Sequence, residues 1–164
     1  RYVEKILKGK HMNLERTKKQ LTRHEGLRLA VYDDATGKPL EQGDTIVGHP
    51  TVGVGRLLTD ARGISTIEAE MFLDNDIDIV VDELNKNIPW WNNLNDARKA
   101  TFINLCFNLG WPRLSGFKKM LRAAQASAWD KAGDELMDSL WYQQVGVRGP
   151  ELVEQLKTGV FQEE

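Results

Sequence analysis

Apolar positions along this 164-residue chain change their spacing partway through. Residues 13–24, NLERTKKQLTRH, place Leu14 and Leu21 seven apart in a polar background, which predicts an amphipathic helix. Gly26 follows Glu25 and predicts its end. LRLAVY (27–32) alternates apolar and other residues and predicts a strand. Residues 34–50, DATGKPLEQGDTIVGHP, hold three Gly and two Pro and read as turns. TVGVG (51–55) reads as a short strand whose glycines mark a bend or a close approach of backbone.

Beyond residue 64 the spacing becomes helical. Ser65 and Glu68 match a capping box that opens a long helix to about Asn85, with Ile67, Met71, Val80, Val81 and Leu84 on its buried side. Asn95 and Asp96 cap a second helix containing ATFINLCFNL, which ends at Gly110. That segment is apolar nearly all round and is expected at the centre of the molecule. Further helices fit 115–124, 127–141 and 149–157. Trp129 and Trp141 lie on these helices and are expected to pack. Trp90 and Trp91, after Pro89, are expected to pack between helices.

The expected class is α+β and mainly helical. A small strand-bearing lobe (about 25–64) is followed by a long linking helix (about 66–85) and a larger helical lobe (about 90–160). Together residues 12–164 form one domain. The crevice between two such lobes is the default place for a substrate.

Composition narrows the function classes. The net charge is −2, so nucleic acid is not an expected partner. The charge is uneven, with eight Lys/Arg against two Glu in residues 1–24. Residues 1–11, RYVEKILKGKH, read either as a native basic extension or as a fused peptide or tag ending near the His11-Met12 junction. A basic amphipathic stretch of this kind can contact an inner or outer membrane surface; a solvated extension is the simpler reading. The single cysteine, Cys106, excludes an internal disulfide and reads as a small packed hydrophobe. No apolar run is long enough to span a membrane, and no secretory signal opens the chain. His24 and His49 lack ligand spacing, so neither a metal nor another cofactor is expected.

The stretch HEGLRLAVYDD (24–34) carries the candidate chemistry. Glu25 falls at a helix end and Asp34 at a strand end. Two carboxylates near one crevice suit hydrolysis of a glycosidic bond. One donates a proton to the leaving oxygen, and the other, ionised, activates water or attacks the sugar. An apolar surround suits the donor and a wet loop suits the anion. Thr51 can add a hydroxyl that holds a water between sugar and Asp34. Spacing alone does not separate this pair from the chain's 24 acidic residues, most of which solvate the surface.

HEGLRLAVYDD with TVGVGRLLT after it resembles the catalytic region of phage-type lysozymes of the T-even family, glycoside hydrolase family 24. The resemblance continues through EAEMFLDNDIDIVV, DARKATFINLCFNLG, LSGFKKML, WDKAGDELMDSLWYQQ and LKTG, over roughly residues 12–160. It implies a lysozyme-like fold and an endolysin, a muramidase cutting the β-1,4 bond between N-acetylmuramic acid and N-acetylglucosamine in peptidoglycan. By the resemblance Glu25 is the general acid, Asp34 activates water and Thr51 positions it. Arg148 pairs with the catalytic Glu and counts among the substrate-binding positions, with a purely structural ion pair as the other reading. Phe107 and Asn108 line the back of the cleft as substrate-binding positions, although an aromatic there is more often core than a sugar platform. The implied reaction inverts configuration, with the carboxylates roughly 6.5–9.5 Å apart. The implied setting is a monomer held in the host cytoplasm, released through a holin-type pore protein to act on peptidoglycan strands in the periplasm.

Two departures stand out. Sixteen residues separate Asp34 from Thr51, more than the family motif has, which predicts an enlarged loop. Arg56 stands where the family often has His, with Asp76 at the matching partner position; such a pair does not titrate near neutral pH. Three other readings remain open at this point. They are a non-catalytic module that grips cell-wall glycan, a structural phage component with a lysozyme-like fold, and a membrane-active peptide fused to an enzyme.

Overall fold

The computed structural model describes residues 14–60 and 63–162. The basic segment 1–11 and its membrane contact lie outside them. The chain divides into two compact units, Arg1–Ser65 and Thr66–Glu164. Helix makes up 61% of the structure beside one small antiparallel sheet, so the class is α+β.

In the first unit, α1 spans Leu14–Glu25. It stops at Gly26, which adopts φ +77° and donates its N–H to the Thr22 carbonyl at 2.9 Å. The chain then extends into β1 (Arg28–Asp33), which pairs with β2 (Pro50–Gly53). Tyr32 lies opposite Thr51 and Asp33 opposite Pro50, with an irregularity between Arg28 and Tyr32. A third strand, β3 (Arg56–Leu57), completes the order β1-β2-β3. Two residues are too few to show alternation, so β3 has no periodic signature in the sequence.

In the second unit, α2 (Thr66–Asn87) runs into a 3-10 turn at Pro89–Asn93. Then come α3 (Asp96–Leu109), α4 (Trp111–Leu114), α5 (Lys118–Gln125), α6 (Trp129–Met137), α7 (Leu140–Gln144) and α8 (Arg148–Thr158). The core gathers around α3, which buries Thr101, Phe102, Leu105 and Cys106. Its start is capped by Asn95, whose side chain accepts the Arg98 N–H at 3.1 Å. The same end is tied to α8: Arg98 donates to the carbonyls of Leu156 and Lys157 at 3.0 and 2.9 Å. Buried Gln155 donates to the Ala97 carbonyl at 2.8 Å and to the Thr101 hydroxyl at 3.1 Å, so neither polar group is left unpaired in the core. Burial and the neighbouring Glu83 push the Cys106 thiol up to about 11, as suits an inert packed cysteine.

Two expectations change. The segment 127–141 is two helices. The Ser139 hydroxyl donates to the Leu136 carbonyl at 2.6 Å and accepts the Tyr142 N–H at 3.2 Å, which closes α6 and opens α7. On α2 only Val80 and Leu84 are buried, while Ile67 and Met71 are exposed. The reason is where the packing falls: α2 lies on α3 and the 3-10 turn, and its buried positions begin at Val80. The tryptophans do pack. Trp91 and Trp141 are buried, Trp90 meets Phe102 edge-on at 5.6 Å, and Arg98 lies over Trp129 at 4.0 Å. No described helix is long and apolar enough to cross a membrane.

Candidate active site

Glu25, Asp34 and Thr51 all belong to the first unit. Glu25 is the last residue of α1 and is exposed. Its carboxylate rests against the β2–β3 turn: a Cβ built on Gly55 would stand 3.3 Å from Glu25 Oε2. Gly55 also has φ +68°, so both space and backbone favour glycine beside this acid.

The two adjacent acids at the end of β1 have different roles. Asp33 is buried and accepts four backbone N–H groups. Ala35 and Thr36 donate to it at 2.9 and 3.2 Å, a local turn. Val47 and Gly48 donate from the far end of the loop at 2.6 and 3.1 Å. The Val47 bond, with help from the other three, holds the Asp33 carboxyl below the ordinary aspartate range against the opposing effect of burial. Asp33 therefore closes the long connection between β1 and β2.

Asp34 keeps its side chain 36% exposed. One oxygen accepts the His49 backbone N–H at 2.6 Å, and the other lies 3.3 Å from His49 Nδ1. The Asp34 N–H in turn donates to the His49 carbonyl at 3.1 Å. Gly48 makes this approach feasible, since a Cβ there would collide with Asp34 Oδ1 and come within 2.7 Å of Ala35 Cβ.

Thr51 is buried on β2, and its hydroxyl donates to the same His49 carbonyl at 3.1 Å. With its one proton engaged there, the Thr51 oxygen retains lone pairs for accepting a further hydrogen bond. Asp34 and Thr51 are thus joined through one residue, His49, whose side chain is 62% exposed.

The remaining sequence candidates lie in the second unit. Phe107 is 47% exposed on α3, so it is not the core aromatic that its apolar surroundings in the sequence allow. Asn108 accepts the indole N–H of Trp141 at 2.8 Å and so holds that ring. Arg148 is the first residue of α8. A cavity of about 840 Å³ in this unit is lined by residues that include Leu109, Arg113, Phe117, Lys118, Met120 and Trp141. None of the candidate acids lines it. Arg56 donates to the Gly63 carbonyl.

Sequence reasoning missed His49 and the role of Asp33. His49 is weighed there only as a metal ligand. No periodic signal marks it, because its links to Thr51 and to the Asp34 N–H run through its own backbone. For Asp33 the signal was the neighbouring Ala-Thr-Gly, since a buried Asp opening a turn caps the N–H groups that follow.

Comparison with known proteins agrees with the resemblance. The phage lysozyme family model matches residues 22–157. The chain is 32% identical over 155 residues to the pre-baseplate central spike protein Gp5 of enterobacteria phage T4, covering 85% of this chain and 27% of that protein. It is 25% and 24% identical to two probable T4-type lysozymes of Dictyostelium discoideum, covering 80% and 79% of this chain and 93% and 92% of theirs. The chain therefore spans about a quarter of the spike protein and nearly all of either Dictyostelium protein. It belongs to the phage lysozyme family.

Proposed function

We propose that this protein is a muramidase that hydrolyses the β-1,4 bond between N-acetylmuramic acid and N-acetylglucosamine in peptidoglycan, acting as an endolysin. Glu25 donates a proton to the bridging oxygen. Asp34 takes a proton from the attacking water, and Thr51 helps hold that water. Phe107, Asn108 and Arg148 are the proposed substrate-binding residues. The observation that carries the reading is the pairing of a solvent-facing Asp34 with a buried Thr51 through His49, in the unit that also holds Glu25. Glu25 enters the site exposed, and binding of a sugar ring would supply the apolar surround that a proton donor needs. The names of the Dictyostelium relatives, probable T4-type lysozymes, support the lysozyme part of this reading. In this role the enzyme is a monomer, waits in the host cytoplasm and reaches the wall through a pore made by a holin-type protein.

The test is release of reducing ends from purified peptidoglycan, with clearing of permeabilised Gram-negative cells as a second assay. Glu25→Gln and Asp34→Asn each lower the rate about 10²–10⁴-fold. Activity of either variant within a few-fold of the parent contradicts its assignment.

The likeness to the T4 spike protein favours a second reading, a lysozyme-like domain carried within a phage structural assembly. Activity in the free chain would be compatible with both. Clearing of cells by the chain and holin alone, without other phage components, favours the endolysin.

A further inference from the structure

We propose that His49 is the positioning residue of Asp34 and that the long β1–β2 connection exists to supply it. The inference rests on the assignment of Asp34 as the base for water.

Of the sixteen residues between Asp34 and Thr51, one reaches both oxygens of the carboxylate. A carboxylate has two oxygens and about four lone-pair directions. His49 takes one direction on each oxygen, by its backbone N–H and by its imidazole. The side chain of Asp34 is thereby held at two points, and the lone pairs left over face the solvent that its exposure admits. The same residue's carbonyl accepts from the Asp34 N–H and from Thr51, so the base and the water-holding hydroxyl are set by one rigid reference. The anchor beneath is Asp33, which fixes Val47 and Gly48 just before His49.

With the ring protonated at Nδ1, the imidazole donates to Asp34 Oδ2 at 3.3 Å. This contact is longer than the backbone one and depends on the side chain, so it can be removed alone. Loss of one of two tethers frees the carboxylate to turn. A small misplacement of a catalytic group lowers the rate without weakening substrate binding.

The experiment compares the parent with His49→Ala and His49→Asn on soluble peptidoglycan fragments. The asparagine amide places a donor where Nδ1 stood. We expect His49→Ala to lower kcat about ten- to hundredfold with KM within twofold, and His49→Asn to recover most of the loss. A kcat for His49→Ala within twofold of the parent overturns the proposal. Equal impairment of both variants also overturns it, because the donor would then be irrelevant.

A second measurement needs no activity. In the NMR spectrum of the substrate-free protein the His49 amide proton should resonate downfield and move upfield in Asp34→Asn. An unmoved resonance overturns the contact itself. Active parent, inactive Asp34→Asn and unimpaired His49→Ala would sink this proposal alone. A parent that leaves peptidoglycan uncut would sink the assignment of Asp34 and the catalytic part of this proposal with it, while the NMR result would still decide the contact.

Discussion

Among the described residues of the first unit, the buried side chains are Asp33 and Thr51, both polar. Several of its apolar residues face outward, Leu29 at 86% exposed and Val47 at 73%, while Val31, Tyr32, Leu40, Val52 and Leu57 are half-buried. The second unit buries Leu84, Phe102, Leu105, Leu114, Leu136 and Leu156 almost completely around one helix. One unit is ordered by directed hydrogen bonds and the other by close packing. Hydrogen bonds fix angles, which is what a pair of reacting groups requires, but each adds only a modest net stability. Packing adds more stability per residue and specifies direction less sharply. The candidate chemistry sits in the unit where orientation, not core volume, is secured.

The sharpest way to break this contrast is through the core. Phe102→Ala should lower stability by about 3–5 kcal/mol, read from the shift of the denaturant midpoint. A loss below about 1 kcal/mol would mean the packed centre is elsewhere.

The next effect is local. Asp33→Asn should speed hydrogen exchange at the Val47, Gly48 and Ala35 amides and leave the amides of Phe102 and Leu105 protected. Acid should act in the same place. The carboxyl of Asp33 has a folded value below the ordinary 3.8, so its stabilising contribution is complete above that value. It is lost as pH falls through the lower folded value. Loosening of residues 34–49 in that acid range, absent from Asp33→Asn, would sharpen the comparison. Uniform loosening of both units would break it.

The smallest effect is expected at Leu29. Replacing this exposed residue by Ser should change stability by no more than about 0.5 kcal/mol in the same denaturant assay.

Much of the fold was legible where a period repeats. The helix at 14–25, the strand pair near 28–33 and 50–53, the long helix and the central α3 all follow from spacing, caps and glycines. The break at Ser139 was hidden because a serine in a helical pattern reads the same whether it faces solvent or caps. The exposure of Ile67 and Met71 was hidden because apolar spacing marks a helix face without saying how far along it the partner helices extend.

The site divides in the same way. Glu25, Asp34 and Thr51 were identified by resemblance to a motif, which spacing alone would not have done. The link through His49 spans fifteen residues of irregular loop, and nothing periodic relates its ends. The contrast between Asp33 and Asp34 is also tertiary: of two neighbouring carboxylates, one is buried under four backbone N–H groups and the other is held by His49 and stays partly exposed.

The most direct test of the central claim is the configuration of the sugar end first released from a defined peptidoglycan fragment, followed by proton NMR before mutarotation. If Asp34 activates water, configuration inverts and the α-anomer appears first. A first product that is the β-anomer would contradict that role for Asp34.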